Sequence, residues 1–394
     1  MSIGELNPHL RLLLGPGPSP VHPRVLKAMS TNVVGHLDPD FLAVMDDCQV
    51  MLREVFGTKN RVTFPVSGTG SAGMEAAGCN VIEPGDKAII CVNGVFGTRM
   101  TDVAGRYGAE VIKVEAPWGE PIDPAEVKKA LDANPDAALV GIVHAETSTG
   151  VLQPMEEIGA ACQGHGALLL MDCVTSLGGV PVEVDKWGVE IAYSGTQKCL
   201  SCPPGVAPLT MSERALGKMR ERKNKVASWY FDVSMIESYW GSDRSYHHTG
   251  PITMNYAIRE ALRLVLEEGL EARFDRHALA SKALQAGVEA LGLSMFAQEG
   301  ARTPTLNTVS IGDNIDDGAV RKSLLNDFNI EIGGGLGPVA GKAWRIGMMG
   351  HGARQENVAY LISALEVIFK RMGYTQKVGD ASAAVTQVYA EALS

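Results

Sequence analysis

Residues 61–93 read RVTFPVSGTGSAGMEAAGCNVIEPGDKAIICVN, and this stretch decides the fold. An apolar run at 61–66 is followed by a glycine-rich turn, a helical stretch at 72–82 and a second apolar run at 87–93. Parallel strands need a crossover connection between them, which is usually a helix. The stretch therefore predicts a strand–helix–strand unit of a parallel sheet.

The same alternation continues towards the C-terminus as far as about residue 210. The further elements predicted there are a helix at 98–107, a strand at 110–115, a helix at 124–133, a strand at 137–144, a helix at 156–164, and strands at 167–172 and 191–194. Strands that alternate with helices predict an α/β fold with a mostly parallel sheet covered on both faces. In such sheets, ligands bind just beyond the C-terminal ends of the strands.

The pattern changes after residue 250 and predicts a second, smaller domain. Met254, Ile258, Leu262 and Val265 recur at helical spacing, and Gly269 marks the end of this connecting helix. Beyond it we predict a helix at 276–291, strands near residues 308 and 330, and a helix at 355–370. The predicted division is an N-terminal arm (1–19), a large domain (20–268), a small C-terminal α+β domain (269–375) and a tail with a short helix (376–394).

The composition is that of a globular protein. Of 394 residues, 45% are hydrophobic and 20% are charged, with a formal net charge of −10. Disordered chains combine low hydrophobicity with high charge, and no stretch approaches the roughly 18 apolar residues of a membrane helix. The acidic balance argues against nucleic-acid binding through clustered Lys and Arg. We expect neither a membrane nor a nucleic acid as partner.

The cysteines and the N-terminus indicate the compartment. Seven cysteines, an odd number in a long chain, are typical of reduced thiols in a cytosol. Residues 1–14 lack the basic and apolar segments of a secretory signal. Cys199 and Cys202 form one C-x-x-C pair, but no second pair exists that would complete a zinc site. We predict a cytoplasmic protein with structural cysteines and no metal.

The glycine-rich turn, VSGTGSAG at 66–73, has the composition of a phosphate site. Glycines let a ligand approach the backbone, and free N–H groups at a helix start bind phosphate. Gly68, Gly70 and Gly73 also match the dinucleotide fingerprint of an NAD-dependent dehydrogenase, which requires an acid at the end of the next strand. That strand ends at Asn93 without an acid. A single phosphate is favoured; a dehydrogenase and a turn without ligand remain alternatives.

Other separated residues indicate what carries the phosphate. Asp172 ends an apolar strand, Lys198 follows the end of another, and Arg345 follows a glycine-rich stretch. Each alone also fits a structural role. Together they fit pyridoxal phosphate, which needs a lysine for its aldehyde, a carboxylate for its ring nitrogen and an arginine for the substrate carboxylate. Phe96, after the second strand, either stacks on the ring or lies in the core.

With these residues the chain resembles the class V, fold type I pyridoxal-phosphate aminotransferases, most closely the alanine–glyoxylate and serine–pyruvate branch. The resemblance implies a seven-stranded type of sheet in the large domain. The motifs that carry it, in family order, are LGPGPS at 14–19, SGTG at 67–70, EPGD at 83–86, HAETSTG at 144–150, DCVTSLGG at 172–179, SGTQK at 194–198, PPG at 203–205, YHHT at 246–249, GGGLG at 333–337 and RIG at 345–347.

The resemblance also implies a role for each site residue. Lys198 would attach the cofactor and move the substrate proton, and Asp172 would pair with the ring nitrogen. Phe96 and Val174 would pack on the ring, and Thr147 would reach its hydroxyl. The remaining implied residues are Thr69, Gly70, Ser71 and Gln197 at the phosphate, Tyr246 and Thr249 at the phosphate of the other subunit of a homodimer, and Arg345, Gly35 and His36 at the substrate.

The reaction implied is transamination of alanine or serine with glyoxylate or pyruvate, in a ping-pong cycle through pyridoxamine phosphate. Small donors are favoured because no further Arg lies in the site motifs. The nearest alternative is an (S)-ureidoglycine–glyoxylate aminotransferase, a branch that typically has Gln at the position of His36. A cysteine desulfurase would need an isolated Cys after Cys202, and none occurs in this sequence. A cofactor-binding regulator would need an attached DNA-binding module, and we expect none because neither terminus has room for one.

Overall fold

The computed structural model describes residues 3–374 and 377–393. Its helices are α1 (Pro23–Met29), α2 (Pro39–Phe56), α3 (Gly70–Val81), α4 (Val95–Arg106), α5 (Pro124–Ala133), α6 (Glu156–Gln163), α7 (Glu213–Arg220), α8 (Val233–Trp240), α9 (Ile252–Glu268), α10 (Leu270–Ala290), α11 (Asp317–Asp327), α12 (Gln355–Met372) and α13 (Asp380–Ala392). Two short 3-10 helices lie at Gly337–Val339 and Gly350–Gly352.

The strands belong to two main sheets and two short pairs. They are β1 (Leu12–Leu13), β2 (Val62–Ser67), β3 (Lys87–Val92), β4 (Glu110–Glu115), β5 (Leu139–Val143), β6 (Ala145–Glu146), β7 (Val151–Leu152), β8 (Leu168–Asp172), β9 (Ile191–Tyr193), β10 (Val206–Met211), β11 (Ser294–Met295), β12 (Leu306–Ser310), β13 (Ile330–Glu331), β14 (Gly333–Gly334) and β15 (Ala343–Gly347). The short pairs are β1 with β13 and β6 with β7.

The larger sheet has seven strands in the order β2–β10–β9–β8–β5–β3–β4. Strands β9, β8, β5, β3 and β4 pair in parallel, and β10 is antiparallel to both of its neighbours. The central strands are buried along their whole length because helices cover both faces. The predicted α/β fold with a large, mostly parallel sheet is confirmed.

The helix that follows the glycine-rich turn starts earlier than predicted. It begins at Gly70 instead of residue 72, with Thr69 as N-cap. The turn residues Gly70 and Ser71 therefore form the first turn of α3, where backbone N–H groups have no partner within the helix. This brings the positive end of the helix dipole to the C-terminal end of β2.

Helix α2 was not predicted, although its sequence carries clear end signals. Asp38 is the N-cap and accepts a hydrogen bond from the backbone N–H of Asp40, and Pro39 occupies the first turn. Gly57 ends the helix in the left-handed conformation, with φ of 61°. The helix packs against α9 and β2 and so covers one edge of the large sheet.

The C-terminal part has a second sheet and its own core. Strands β11, β12, β15 and β14 form an antiparallel sheet. Helices α10, α12 and α13 contact one another, and their buried side chains share one hydrophobic cluster with Trp344 and Ile346 of β15. Leu14 of the N-terminal arm also belongs to this cluster. The predicted smaller α+β unit is thus present.

The exact limits of the four predicted segments stay predictions. The boundary between residues 375 and 376 lies outside the described residues, as do residues 1–2 and 394. Among the helices that the structure describes, none has the length and apolar character needed to cross a membrane.

Candidate active site

A cavity of about 180 Å³ lies at the C-terminal ends of the parallel strands. Nine residues predicted from the sequence line it: Thr69, Gly70, Ser71, Phe96, Thr147, Asp172, Val174, Gln197 and Lys198. Five lining residues were not predicted: Met74, Arg99, Val143, Ala145 and Tyr193. Residues up to 129 positions apart therefore meet here, because each follows or ends a strand of the same sheet.

A larger cleft, of about 700 Å³, lies elsewhere, between the start of α1, the α9–α10 junction and the start of α12. Two of its arginines, Arg273 and Arg276, both form ion pairs with Glu268. No site residue predicted from the sequence lines it. The smaller cavity is the one in which the reactive groups converge.

Asp172 is held rigidly at the end of β8. One carboxylate oxygen accepts a hydrogen bond from the Val174 N–H at 2.9 Å, and the other accepts one from the Tyr193 hydroxyl at 2.7 Å. Burial raises the pKa of Asp172, whereas these hydrogen bonds and the charges of Lys198 and Arg99 act to lower it. A cation placed against this carboxylate would favour its charged form.

Lys198 lies in the turn after β9 with only 8% of its surface exposed. Burial, followed by the charge of Arg345, lowers the pKa of Lys198 to about 8. Its ammonium group donates a hydrogen bond to the Pro16 carbonyl. A substantial fraction of this amine is neutral near pH 8 and can act as a nucleophile or base.

Gly17 was not predicted as a site residue, although it belongs to the LGPGPS motif. Its φ is +107°, and a Cβ there would lie 2.6 Å from Lys198 Nζ. Only glycine tolerates both the conformation and the close approach. The N-terminal arm therefore forms part of the wall around Lys198.

The start of α3 provides a place for a phosphate. The N-cap Thr69 makes no side-chain capping hydrogen bond, and the backbone N–H groups of Gly70 and Ser71 have no acceptor among the described residues. Gln197 lines the same cavity, and its amide nitrogen is a further hydrogen-bond donor. Free donors at a helix N-terminus fit an anion.

Thr147 and Val174 lie on neighbouring segments of the cavity wall. Thr147 Oγ1 is 2.5 Å from Thr175 Oγ1, and both side chains are buried. Val174 approaches the start of α3, because a Cβ on Gly70 would lie 3.1 Å from Val174 Cγ2. Thr147 therefore offers a hydroxyl group to a ligand in the cavity, and Val174 offers an apolar surface for a ring to pack on.

Glu146 was missed as a site residue, although it stands within the HAETSTG motif. It is fully buried, and its carboxylate accepts hydrogen bonds from the N–H groups of Phe96 (3.1 Å), Gly97 (3.3 Å) and Ser148 (3.0 Å) and from the Ser148 hydroxyl (2.6 Å). A Cβ at Gly94 would lie 2.4 Å from its side chain. Glu146 thus fixes the start of α4, which carries Phe96.

Arg345 lies on β15 of the second sheet and is 9% exposed. Its Nε donates a hydrogen bond to the Gly334 carbonyl at 2.8 Å, and no carboxylate of the described residues lies within 4.0 Å of its guanidinium. Burial lowers the pKa of Arg345, and the charge of Glu146 partly opposes this. The guanidinium therefore has free donors close enough to Lys198 to lower its pKa.

Five predicted site residues do not line the cavity of this chain: Arg345, Gly35, His36, Tyr246 and Thr249. Tyr246 is 62% exposed, and Thr249 and Gly35 are also exposed. The rings of His36 and Tyr246 lie 5.3 Å apart, so these residues share one surface. Their roles at the phosphate or substrate stay predictions.

Arg99 corrects one argument made from the sequence. The sequence motifs contained no second Arg, but the structure places Arg99 in the cavity wall. Its guanidinium carbon lies 4.8 Å from the centre of the Phe96 ring. The absence of a second cation therefore cannot be used to exclude acidic donors.

The sequence profile of the aminotransferase class-V family matches residues 11–361. The chain belongs to the class-V aminotransferases. The expected resemblance is confirmed, and with it the assignment as an aminotransferase. This family membership also argues against the dehydrogenase interpretation of Gly68, Gly70 and Gly73.

Individual relatives of this class-V aminotransferase match over nearly their whole length. The chain is 43% identical to the (S)-ureidoglycine–glyoxylate transaminase of Bacillus subtilis, over 98% of this chain and 97% of that protein. The structure of alanine–glyoxylate aminotransferase from Nostoc sp. has a TM-score of 0.92 and 51% identity, covering 94% and 98% of the two chains. That of pyridoxamine–pyruvate aminotransferase from Mesorhizobium loti has a TM-score of 0.91 and 31% identity, covering 97% of each chain.

Class-V aminotransferases of this fold use pyridoxal phosphate, which confirms the predicted cofactor. The cavity fits it. The free N–H groups of α3 suit a phosphate, Asp172 suits a protonated ring nitrogen, and Lys198 suits the aldehyde. The role of each single residue stays a prediction.

The cysteines are not arranged for thiol or metal chemistry, although Cys173 and Cys199 are chain neighbours of Asp172 and Lys198. All seven are unpaired and buried, and burial raises the pKa of the Cys199 thiol to about 12 and that of Cys202 further still. Thiols with such pKa values are poor nucleophiles and poor metal ligands at neutral pH. Among the described residues, no group of three or more His, Cys, Asp or Glu is arranged to hold a metal ion.

Proposed function

We propose that this class-V aminotransferase transfers the amino group of a small L-amino acid, alanine or serine, to glyoxylate or pyruvate in a ping-pong cycle. The observation that carries the proposal is the proximity of two buried cationic groups, Lys198 and Arg345. Arg345 is a buried guanidinium with free donors, and its charge lowers the pKa of the Lys198 amine. A substrate carboxylate on Arg345 would hold the α-carbon within reach of that amine.

Bound pyridoxal phosphate supplies an aldehyde that takes up the amino group and a ring that withdraws electrons from the α-carbon. The chain's own groups do the rest. Arg345 binds and orients the carboxylate of donor and acceptor in turn. Lys198 Nζ removes the proton from the α-carbon and returns it at the cofactor, since its lowered pKa leaves a neutral amine available. Asp172 keeps a proton on the ring nitrogen.

The names of the relatives support glyoxylate as acceptor. Both the Nostoc and the Bacillus subtilis proteins are named for a reaction with glyoxylate, and they differ in the amino donor. Alanine is the donor named for the relative with 51% identity. Ureidoglycine is the second candidate donor, because the relative named for it matches 98% of this chain.

We further propose a homodimer in which each site is completed by the partner. Tyr246 and Thr249 are exposed in the single chain and do not line the cofactor cavity of that chain. This is what the family resemblance implies for residues that reach the cofactor phosphate of the partner subunit. Gly35 and His36 lie on the same surface as Tyr246 and would enter the partner's site with it. The seven free, buried cysteines support a reducing, cytoplasmic location.

The test is a matrix of amino donors and 2-oxo acids with the purified, cofactor-loaded protein. Alanine or serine with glyoxylate should exceed aspartate and glutamate in kcat/KM by at least about 10²-fold. Reciprocal plots of rate against donor at several acceptor concentrations should be parallel, as ping-pong kinetics require. A clear preference for ureidoglycine or for an acidic donor would overturn the proposed substrate choice.

A variant of Arg345 tests whether this residue binds the substrate carboxylate. Arg345→Gln should raise KM for donor and acceptor alike, each by about 10- to 100-fold, since both would lose a charge-assisted hydrogen bond. The matched control is Arg371→Gln, which removes an exposed arginine paired with Asp327. If KM were unchanged for both substrates, Arg345 would be a structural residue.

A further inference from the structure

Arg99 lies on α4, one helical turn after Phe96, at the wall of the cofactor cavity. Its guanidinium carbon is 4.8 Å from the centre of the Phe96 ring. Its Nη1 is 3.4 Å from the hydroxyl of Ser71, in the first turn of α3. Arg99 therefore links the aromatic side chain with the proposed phosphate site.

The charge of Arg99 has no acidic partner in the described part of the chain. No carboxylate there lies within 4.0 Å of it, and its one hydrogen bond, to Ser71, is long and goes to a neutral group. Arg106, on the same helix, is paired with Asp102 at 2.9 Å. An arginine that packs on an aromatic ring keeps the edge of its guanidinium free for an oxyanion.

We propose that Arg99, together with Ser71, binds the phosphate group of the cofactor. The N–H groups of Gly70 and Ser71 have no acceptor among the described residues and are suited to bind an anion at this place. A phosphate there satisfies these donors and the unpaired guanidinium at the same time. The inference rests on the proposed function only through its cofactor, because it does not depend on the amino donor.

The position of Arg99 favours the phosphate over the substrate carboxylate. Arg99 contacts the first turn of α3, whereas Arg345 is the arginine whose charge acts on Lys198. If Arg99 binds the phosphate, it is not available for the side-chain carboxylate of an acidic donor. Arg345 is then the arginine that binds the substrate α-carboxylate, and small amino donors are again favoured. Because Arg99 is exposed in the single chain, its effect should weaken with rising salt.

The experiment compares two ligands of the cofactor-free protein that differ only in the phosphate group. Dissociation constants for pyridoxal phosphate and for pyridoxal are measured by absorbance, without any amino donor, for the wild type, Arg99→Gln and the matched control Arg106→Gln. Arg99→Gln should weaken pyridoxal phosphate binding at least tenfold and leave pyridoxal binding within twofold. Arg106→Gln should change neither.

Three outcomes would overturn the proposal. Equal loss of both ligands would mean that Arg99 acts through the Phe96 ring; unchanged pyridoxal phosphate binding would mean that it does not reach the phosphate. A raised donor KM with intact cofactor affinity would assign it to the substrate. Arg99→Lys, which keeps the charge, should bind pyridoxal phosphate more tightly than Arg99→Gln. If Arg99→Gln does not fold, the affinities of Arg99→Lys for pyridoxal phosphate and pyridoxal are compared with those of the wild type instead. Failure of alanine as donor would leave all these constants unaffected.

Discussion

Asp172 and Tyr193 are paired twice: they are register partners at the ends of β8 and β9, and the Tyr193 hydroxyl donates a hydrogen bond to Asp172 Oδ2 at 2.7 Å. Because the second oxygen accepts from the Val174 N–H, the carboxylate cannot rotate without losing a hydrogen bond. Both side chains are buried, so water cannot replace either bond. The sheet register itself orients the carboxylate.

Asp172→Asn should abolish most of the transaminase activity. The amide keeps the shape of the carboxylate but has no charge with which to hold a proton on the cofactor ring, and we expect kcat to fall by about 10²-fold or more. Tyr193→Phe removes one hydrogen bond to a charged group and should lower kcat by about tenfold, which corresponds to 1.4 kcal/mol. Near-normal kcat in Asp172→Asn would show that Asp172 has only a structural role.

The pKa of Lys198 predicts how cofactor attachment depends on pH. The amine reacts only when neutral, and burial and Arg345 lower its pKa to about 8. The rate of attachment to the cofactor-free protein, followed by absorbance, should level off above pH 8 and fall about tenfold per pH unit below it. Arg345→Gln removes a neighbouring positive charge and should move the midpoint to higher pH, whereas Arg371→Gln should not. A profile independent of pH between 6 and 9 would contradict the assignment.

Glu146→Gln should disturb the site without touching a substrate. The carboxylate accepts four hydrogen bonds, and an amide nitrogen in place of one oxygen would face donors instead of accepting from them. We expect a loss of about 1–3 kcal/mol in the free energy of unfolding, together with weaker binding of both pyridoxal phosphate and pyridoxal, since Phe96 is displaced. The control is Glu115→Gln, which changes an exposed side chain. Unchanged affinity for both ligands would limit Glu146 to a role in stability.

Sequence patterns predicted the parallel strands because each is an apolar run bounded by turns. Strand β10 lacked this clarity, since Pro208 lies in the middle of it and proline is rare in central strands. The site residues that could be predicted, such as Asp172 and Lys198, stand at strand ends, where topology alone brings them together.

The residues that were missed act through contacts between distant segments. Glu146 and Phe96 are 50 residues apart in the chain, and Arg99 and Ser71 are 28 apart. Neither pair has a spacing that a helix or strand period would reveal. Only the packing of α3, α4 and the segment after β5 brings these side chains together.

Mixed dimers test whether the sites are shared between subunits. Lys198→Ala should have no turnover while remaining folded, and the double variant Tyr246→Phe/Thr249→Ala should be poorly active at limiting cofactor because it lacks phosphate contacts. In a mixed dimer, one site combines both defects, and the other has neither. Co-expression with random pairing should therefore restore about a quarter of the wild-type activity. Lys128→Ala, an exposed lysine variant, serves as the fully active control. If the co-expressed mixture shows only the mean activity of the two separate variants, Tyr246 and Thr249 act within their own chain, and the shared site is excluded.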